Sequence, residues 1–426
     1  MEVSLPYGRH EAIGFLPENW KVEEIFPNKA KPIFSPEKML NGFLDRPVNC
    51  KPFDKIFSGK KSVAVVVPDK TRKSGVKALL PVVLSRLEKL GVHENDVKIV
   101  FATGIHPGQT EEQKRAIVGD VIYKRIECVD HDPRGELEKA GEIDGIPLML
   151  NASVARADGL IVIGGVKLHY LAGFGGGRKA IMPGVASRED CVNFHGLCMD
   201  PAGKGRYSNS KTGVLKGNPM HERALAAARA ADVDFMVNTV VNASERILFV
   251  NAGDVEKSFL DACEFARGYQ TVPVTGRADV VIASCGGYPA DINFIQAHKS
   301  LDSAYHALKP GGVLFLVAEC AEGIGNDEFL EWFDYASLDE MEGALRKKFV
   351  ISGHTAYATR EKTRNCRVVM LTELESEDVK RMGMSPVSSF GEGLKLCVEL
   401  CADLAGKGEI KTYLIREAGV LYPDAD

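Results

Sequence analysis

The stretch GLIVIGGVKLHYLAGFGGGRKAIMPGVASREDCVNFHG, Gly159 to Gly196, carries the grammar of the whole chain in one piece. Its first seven residues form an apolar run without polar alternation, which reads as a strand buried on both faces. Four glycines then surround Phe174, and the pair Arg178-Lys179 follows. Ser187, with Asp190 three residues on, reads as the N-cap of a helix that carries His195. Taken locally, the glycine-rich loop reads as a mobile turn with a solvated lysine. Yet Lys179 stands between two imidazoles, His169 and His195, and that placement makes it a candidate reactive group.

The same strand-loop-helix order recurs outward from this stretch. SVAVVV (Ser62–Val67) leads into PDKTRKSG and then a helical VKALLPVVLSRLEKLG that ends at Gly91. VKIVFA (Val97–Ala102) leads into TGIHPGQ, and Thr110 with Gln113 makes a capping-box pattern for the next helix. A β-hairpin is predicted near Val233–Gly253, followed by a helix in VEKSFLDACEFARGYQ. From Ala278 to Cys320 the pattern is strand, loop, helix, a KPGG turn and strand, a βαβ unit. RVVMLT and KTYLI read as two further strands. The fold class is therefore α/β, with two domains of mostly parallel sheet, residues 1–273 and 274–426, and an active-site cleft between them. Ligands of parallel sheets sit at the carboxyl ends of the strands. Asp69, Arg72, His106 and His169 all follow apolar runs and are expected to converge there.

Composition narrows the function classes. The 426 residues carry a net charge of −5, which gives no general attraction to nucleic acid or to anionic membranes. No apolar run approaches the ~20 residues of a membrane span. The N-terminus has neither the basic start nor the apolar core of a secretory signal. Ten cysteines without a C-x-x-C pair read as reduced packing residues of a cytoplasmic protein.

Each motif also has a plainer reading. A P-loop needs a glycine where Arg178 stands and a hydroxyl residue where Ala180 stands. Gly175-x-Gly177-x-x-Ala180 fits a dinucleotide fingerprint only loosely, and CGGYPAD after VVIAS does not supply one. Each histidine taken alone reads equally as a structural residue. HDPRG (His131–Gly135) reads as a site or as a turn held by Asp132. Gln296 and Lys299, at i and i+3, share a helix face that is either a carboxylate grip or a solvated surface.

Together the pieces resemble the nickel-dependent lactate racemase family. The resemblance lies in DKTR (Asp69–Arg72), GIH (Gly104–His106), HYLAGFGGGRKAIMPGV (His169–Val185), His195 and QAHK (Gln296–Lys299), in family order over most of the chain. It implies a nickel-pincer nucleotide, nickel pyridinium-3,5-bisthiocarboxylic acid mononucleotide, held covalently on Lys179. It implies Asp69, Lys70, Thr71 and Arg72 on the cofactor's nucleotide part, His195 as the nickel ligand, and His106 and His169 as the acid/base pair. Gln296 and Lys299 would bind the substrate carboxylate. The implied activity is racemisation or epimerisation of a 2-hydroxy acid by reversible hydride transfer through a 2-keto acid. The implied partners are that small molecule and the proteins that make the cofactor; a homo-oligomer is left open. Pro107, where the family often has a basic residue, and Ile295, where its lactate enzymes carry tyrosine, depart from the pattern beside the substrate. They point to a substrate other than lactate. Two rivals remain: a non-catalytic nickel or nucleotide carrier, which needs no histidine pair, and an NAD(P)-linked 2-hydroxyacid dehydrogenase, which needs a better fingerprint.

Overall fold

The computed structural model describes residues 1–402 and 409–425. The chain divides into two compact units, Lys29–Gly268 and a second built from Met1–Asn28 with Tyr269–Asp426.

The unit Lys29–Gly268 is organised by one six-stranded sheet. In space its strands run Ile247–Gly253, Phe235–Val241, Gly159–Gly165, Val63–Pro68, Val97–Ala102 and Glu127–Asp130. All pair in parallel except Ile247–Gly253, which returns antiparallel from Phe235–Val241 as the predicted hairpin. The apolar runs are unbroken because both faces are covered. Val63, Val65 and Val67 pack with Leu79, Val83 and Leu87 of the helix Val76–Lys89, while Ala64 and Val66 on the other face are equally buried. Thr110 and Gln113 form the full capping box, and Ser187 caps the helix Arg188–Gly196 by accepting from Asp190 N. The first strand lies beside the fourth in sequence, with the second and third on its far side. That is the order of a doubly wound sheet, and its switch point falls between Val63–Pro68 and Gly159–Gly165.

The other unit also holds a six-stranded sheet, and this one is wholly parallel. Its order is Ser385–Val387, Arg367–Leu371, Leu308–Val317, Ala278–Ser284, Ile410–Ile415 and Trp20–Ile25. Alternate residues face two cores: Val281, Leu314 and Met370 one side, Val280, Phe315 and Val369 the other.

Two expectations are corrected. Residues 1–28 do not belong to the first domain. Trp20–Ile25 alternates buried and exposed positions, and it completes the distant sheet as an edge strand beside Ile410–Ile415. Local order along the chain carries no information about that pairing. The second crossing, at Gly268/Tyr269, lies a few residues ahead of 273. The KPGG segment is also no turn. Lys309–Gly312 lies within the strand Leu308–Val317, where the partner of Ala278 is Leu308 and that of Val280 is Val313. The four residues form a bulge, with Gly311 in the left-handed region.

Candidate active site

In the unit Lys29–Gly268, the residues picked out from the sequence gather at the carboxyl ends of three neighbouring strands. The loop after Val63–Pro68 supplies Asp69, which is 3% exposed. Its Oδ1 accepts from Thr71 N at 3.0 Å and Thr71 Oγ1 at 2.6 Å, a turn closed by its own aspartate. Its Oδ2 lies 2.5 Å from His106 Nδ1, in the loop after Val97–Ala102. Burial alone would raise the Asp69 pKa. The hydrogen bonds from His106 and Thr71, and the charges of His106 and Arg72, outweigh it and hold the carboxyl well below its usual range. Asp69 thus fixes the His106 ring through Nδ1 and leaves Nε2 as the working nitrogen.

A further clasp joins the two loops. Gln109 Oε1 accepts from Lys70 N at 2.6 Å, while Gln109 N and Nε2 donate to Asp130 at 2.8 and 2.9 Å. Asp130 ends the third strand and is also paired with Lys114 at 3.0 Å. Gln109 and Asp130 carried no motif, so sequence reading missed them.

The glycine-rich loop is not a mobile turn. Gly173–Gly175 pairs antiparallel with Lys167–His169, and Gly177–Ala180 makes a 3-10 turn. Gly173 and Gly176 have φ of +73° and +77°, and a Cβ there would lie 2.1 Å from Val214 O and 2.3 Å from Gly165 O. These glycines permit close packing in a conformation other residues avoid. Arg178 is fully buried and stitches the loop from within. It donates to Phe174 O at 2.8 Å, Ala172 O at 3.2 Å and His221 Nδ1 at 3.2 Å, and its guanidinium lies 4.1 Å from the centre of the Phe259 ring. Burial lowers its pKa to about 10. Asn218 completes the frame by donating to Leu171 O and capping the helix Pro219–Ala230. Asn218, His221 and Phe259 lay outside every motif.

Lys179 projects from this frame with its Nζ 3.2 Å from His169 Nε2. His169 Nδ1 accepts from Leu171 N and Ala172 N, both at 3.1 Å, so its ring proton belongs on Nε2. That N–H requires an acceptor, and a neutral amine is one. Burial first, then the charges of Arg178 and Arg72, push the Lys179 pKa well below its ordinary value. The neutral amine is also the nucleophilic form. Nearby, His195 donates from Nδ1 to Cys191 O at 2.7 Å, and its ring sits edge-on to Phe194. Burial, then Lys179 and His106, lower the His195 pKa to about 4. A neutral ring whose other nitrogen is tied to a carbonyl presents an Nε2 lone pair, the state of a metal ligand.

His131 sorts differently. It is 3% exposed, bonds Ala186 O through Nε2 at 2.8 Å, and has its pKa lowered by burial. Asp132 holds the turn by accepting from Arg134 N. HDPRG is structural.

In the other unit, Gln296 and Lys299 lie on the helix Phe294–His306, and Lys299 Nζ donates to Gln296 Oε1. Asn293 caps that helix by accepting from Gln296 N at 3.0 Å. Phe294 is fully buried against Phe329, and Ile295 packs on the same core. All ten cysteines are free thiols, eight of them buried, as packing residues should be.

A doubly wound α/β unit that gathers a lysine, three histidines and a buried carboxylate at the carboxyl ends of its strands has the make-up of a catalytic site and not of a dinucleotide site, since its first loop is DKTR and not glycine-rich. Comparison with known proteins narrows this. The family model described as "Lactate racemase N-terminal domain" matches residues 7–205, and "Lactate racemase C-terminal domain" matches residues 274–409. The lactate racemase of Thermoanaerobacterium thermosaccharolyticum is 34% identical over 406 residues, 92% of this chain and 93% of that one. The lactate racemase of Lactiplantibacillus plantarum is 30% identical over 312 residues, 72% of this chain and 71% of that one. The structure of the lactate racemase apoprotein from T. thermosaccharolyticum superposes with a TM-score of 0.86 at 30% identity, covering all of both chains. A Thermotoga maritima protein shares the fold, with a TM-score of 0.66 at 17% identity over 93% of this chain and 99% of that one. The chain belongs to the lactate racemase family and is an isomerase.

Proposed function

We propose that this chain interconverts the two configurations at the hydroxyl-bearing carbon of a 2-hydroxy acid, through a planar 2-keto acid. The observation that carries the reading is the pair of differently held imidazoles: His106 fixed by buried Asp69, and His169 fixed by two backbone amides beside Lys179. A base is needed at the hydroxyl on each face, and histidine titrates near neutral pH. His106 Nε2 takes or returns the hydroxyl proton for one configuration; His169 serves the other once its ring proton moves to Nδ1, which requires letting go of the bonds from Leu171 N and Ala172 N and frees the Nε2 lone pair. Gln296 and Lys299 supply a directional hydrogen bond and a charge for the substrate carboxylate.

The residues fit a lysine-linked nickel-pincer nucleotide. Lys179 is a desolvated amine fit to hold it, His195 offers one imidazole lone pair to nickel, and Asp69 to Arg72 form the loop for the nucleotide part. Imidazole suits nickel. Among the described residues no group of three or more His, Cys, Asp or Glu side chains could hold a metal, so His195 would hold nickel together with a bound organic group and not as one of a protein cluster. When bound, that group supplies an electron-poor acceptor for hydride, tuned by the metal.

The substrate we propose carries a larger or more polar group than the methyl of lactate. Ile295 stands where the resemblance puts the tyrosine of the lactate enzymes; an isoleucine offers no hydroxyl there, and this one packs on its own core. One added methylene changes discrimination by only ~1–3 kcal/mol, so some turnover of lactate is compatible with this. The test is racemisation in D₂O, with enzyme co-expressed with the cofactor-making proteins, across lactate, malate, aromatic and sugar acids. Inverted product that keeps its original Cα–H supports hydride transfer. Deuterium at Cα would mean proton abstraction and overturn the mechanism, and lactate with the highest kcat/KM would overturn the substrate preference.

A further inference from the structure

Resting on the reading of Gln296 and Lys299 as the carboxylate clamp, we propose that Lys362 is a positioning residue for that clamp. It neutralises the buried carboxylate of Asp302, which would otherwise draw Lys299 away from the substrate.

Ile295, Lys299, Asp302 and His306 stand at i, i+4, i+7 and i+11 along the helix Phe294–His306, so they form one stripe. Lys299 has two polar neighbours along the axis, each three residues away: Gln296 one turn back and Asp302 one turn ahead. The first is a neutral amide, and the second is an acid only 3% exposed. Electrostatics alone favour the acid, because a desolvated carboxylate attracts an ammonium more strongly than an amide oxygen does. Yet Lys299 Nζ donates to Gln296 Oε1.

The reason lies on a neighbouring helix, Ile351–Asn365, which packs with Phe294–His306 on the same face of the parallel sheet. Lys362, 2% exposed, places its Nζ 2.8 Å from Asp302 Oδ1. That ammonium also donates to Ala358 O at 3.1 Å and stands 5.9 Å from the centre of the Tyr305 ring. Asp302 Oδ2 faces His306 Nε2 at 3.8 Å, further along the stripe from Lys299. The acid is thus matched by a cation fixed on another helix, and Lys299 keeps its charge at the end of the helix where Gln296 stands. A buried ion pair is a poor source of stability, since desolvation offsets its attraction. The value of this one is directional: it turns a competitor for Lys299 into a neutral neighbour.

The test is kinetic. Enzyme co-expressed with the cofactor-making proteins is assayed on the 2-hydroxy acid that wild type turns over best, at about pH 8, where an ordinary imidazole carries no charge to put in place of the lost ammonium. Lys362→Met should raise KM about ten- to a hundredfold, the worth of one charge-assisted hydrogen bond, with kcat within about threefold of wild type. Adding Asp302→Asn should bring KM back to within about threefold, because the competitor has gone along with its counter-ion. A pair that serves structure alone predicts otherwise: unfolding curves shift and KM does not. Lys362→Gln keeps a donor for Asp302 Oδ1 without the charge; it stands in if Lys362→Met does not fold, and should raise KM in the same direction. An unchanged KM in the folded single variant, or a raised KM that Asp302→Asn leaves in place, would overturn the proposal. Lys299→Met separates the two readings. If it raises KM and the Lys362 variants do not, the clamp stands and this inference falls; if it leaves KM unchanged, the clamp reading itself falls.

Discussion

The two sheets have comparable switch points and put them to opposite use. In the unit Lys29–Gly268 the crevice between Val63–Pro68 and Gly159–Gly165 is rimmed by Arg72, Lys73, Lys167 and Lys179, with three imidazoles close by. In the other unit the crevice beside Ala278–Ser284 is rimmed by acids and filled by the chain itself. Gly8 N donates to Asp291 Oδ2 at 2.7 Å, Tyr7 OH to Glu373 at 3.2 Å, and Ser284 Oγ to Pro6 O at 2.5 Å. Tyr288 N closes the contact by donating to Gly8 O at 2.7 Å. The topology offers a ligand site in both units, and side-chain chemistry decides which one stays open. The N-terminal hairpin, Glu2–Tyr7 with His10–Phe15, serves as the plug of the second.

Removing Lys179 should break the comparison most completely. In Lys179→Ala, enzyme made with the cofactor-producing proteins should lose the covalent adduct and all measurable racemisation. Mass spectrometry of the peptide containing residue 179 checks it, and an adduct found instead on another lysine, such as Lys167, would sink the assignment. Next in size are the imidazoles. His106→Ala and His169→Ala should keep nickel and lose ~10²–10⁴-fold in kcat, the usual worth of a positioned acid or base. His195→Ala should lose nickel. If all three variants lost metal alike, the division of labour would be wrong.

Arg178→Met comes third and acts on the frame. It removes the guanidinium donors from the carbonyls of Phe174, Ala172 and Gly176, of which Ala172 O and Gly176 O keep backbone donors in Phe174 N and Lys179 N. A loss of about 2–5 kcal/mol of stability is expected. Denaturant unfolding measures it, and a change within about 0.5 kcal/mol would show that the loop holds its shape through glycine packing alone.

How much of this was legible in the sequence follows from what each signal depends on. Strands covered on both faces announce themselves as unbroken apolar runs, so five of the six strands of one sheet and the order strand-loop-helix could be read. Lys179, His106, His169 and His195 were legible as a set in a fixed order, and their convergence in one crevice follows from parallel strands. Three things were out of reach. The edge strand Trp20–Ile25 pairs with a partner some 390 residues on, and only the folded chain can bring it there. The rigidity of the glycine loop depends on Arg178 pointing inward, and local sequence does not say which way an arginine beside glycines points. His131 and His106 follow neighbouring strands and differ only in burial and partners, Ala186 O for one and Asp69 for the other.

The smallest expected effect tests the plugged crevice itself. Asp291 is 1% exposed, accepts from Gly8 N and Glu319 N through Oδ2, and has no hydrogen-bond partner on Oδ1. If its task is to hold the hairpin over the sheet, one acceptor oxygen is enough. Asp291→Asn keeps that oxygen and replaces the other with an NH₂ group of nearly the same size. Stability should then move by no more than about 1 kcal/mol, since the bond to Gly8 survives and the main change is the loss of a charge near Glu319. Racemisation per folded molecule should stay within about twofold of wild type. Asp291→Ala serves as the contrast: it orphans the buried Gly8 N–H and should cost roughly 1–3 kcal/mol, again without a kinetic effect. Unfolding curves and kcat/KM measured on the same preparations separate the two outcomes. A tenfold fall in kcat/KM for Asp291→Asn at unchanged stability would mean that the acidic crevice takes part in the chemistry, and the contrast between an open site and a plugged one would have to be given up.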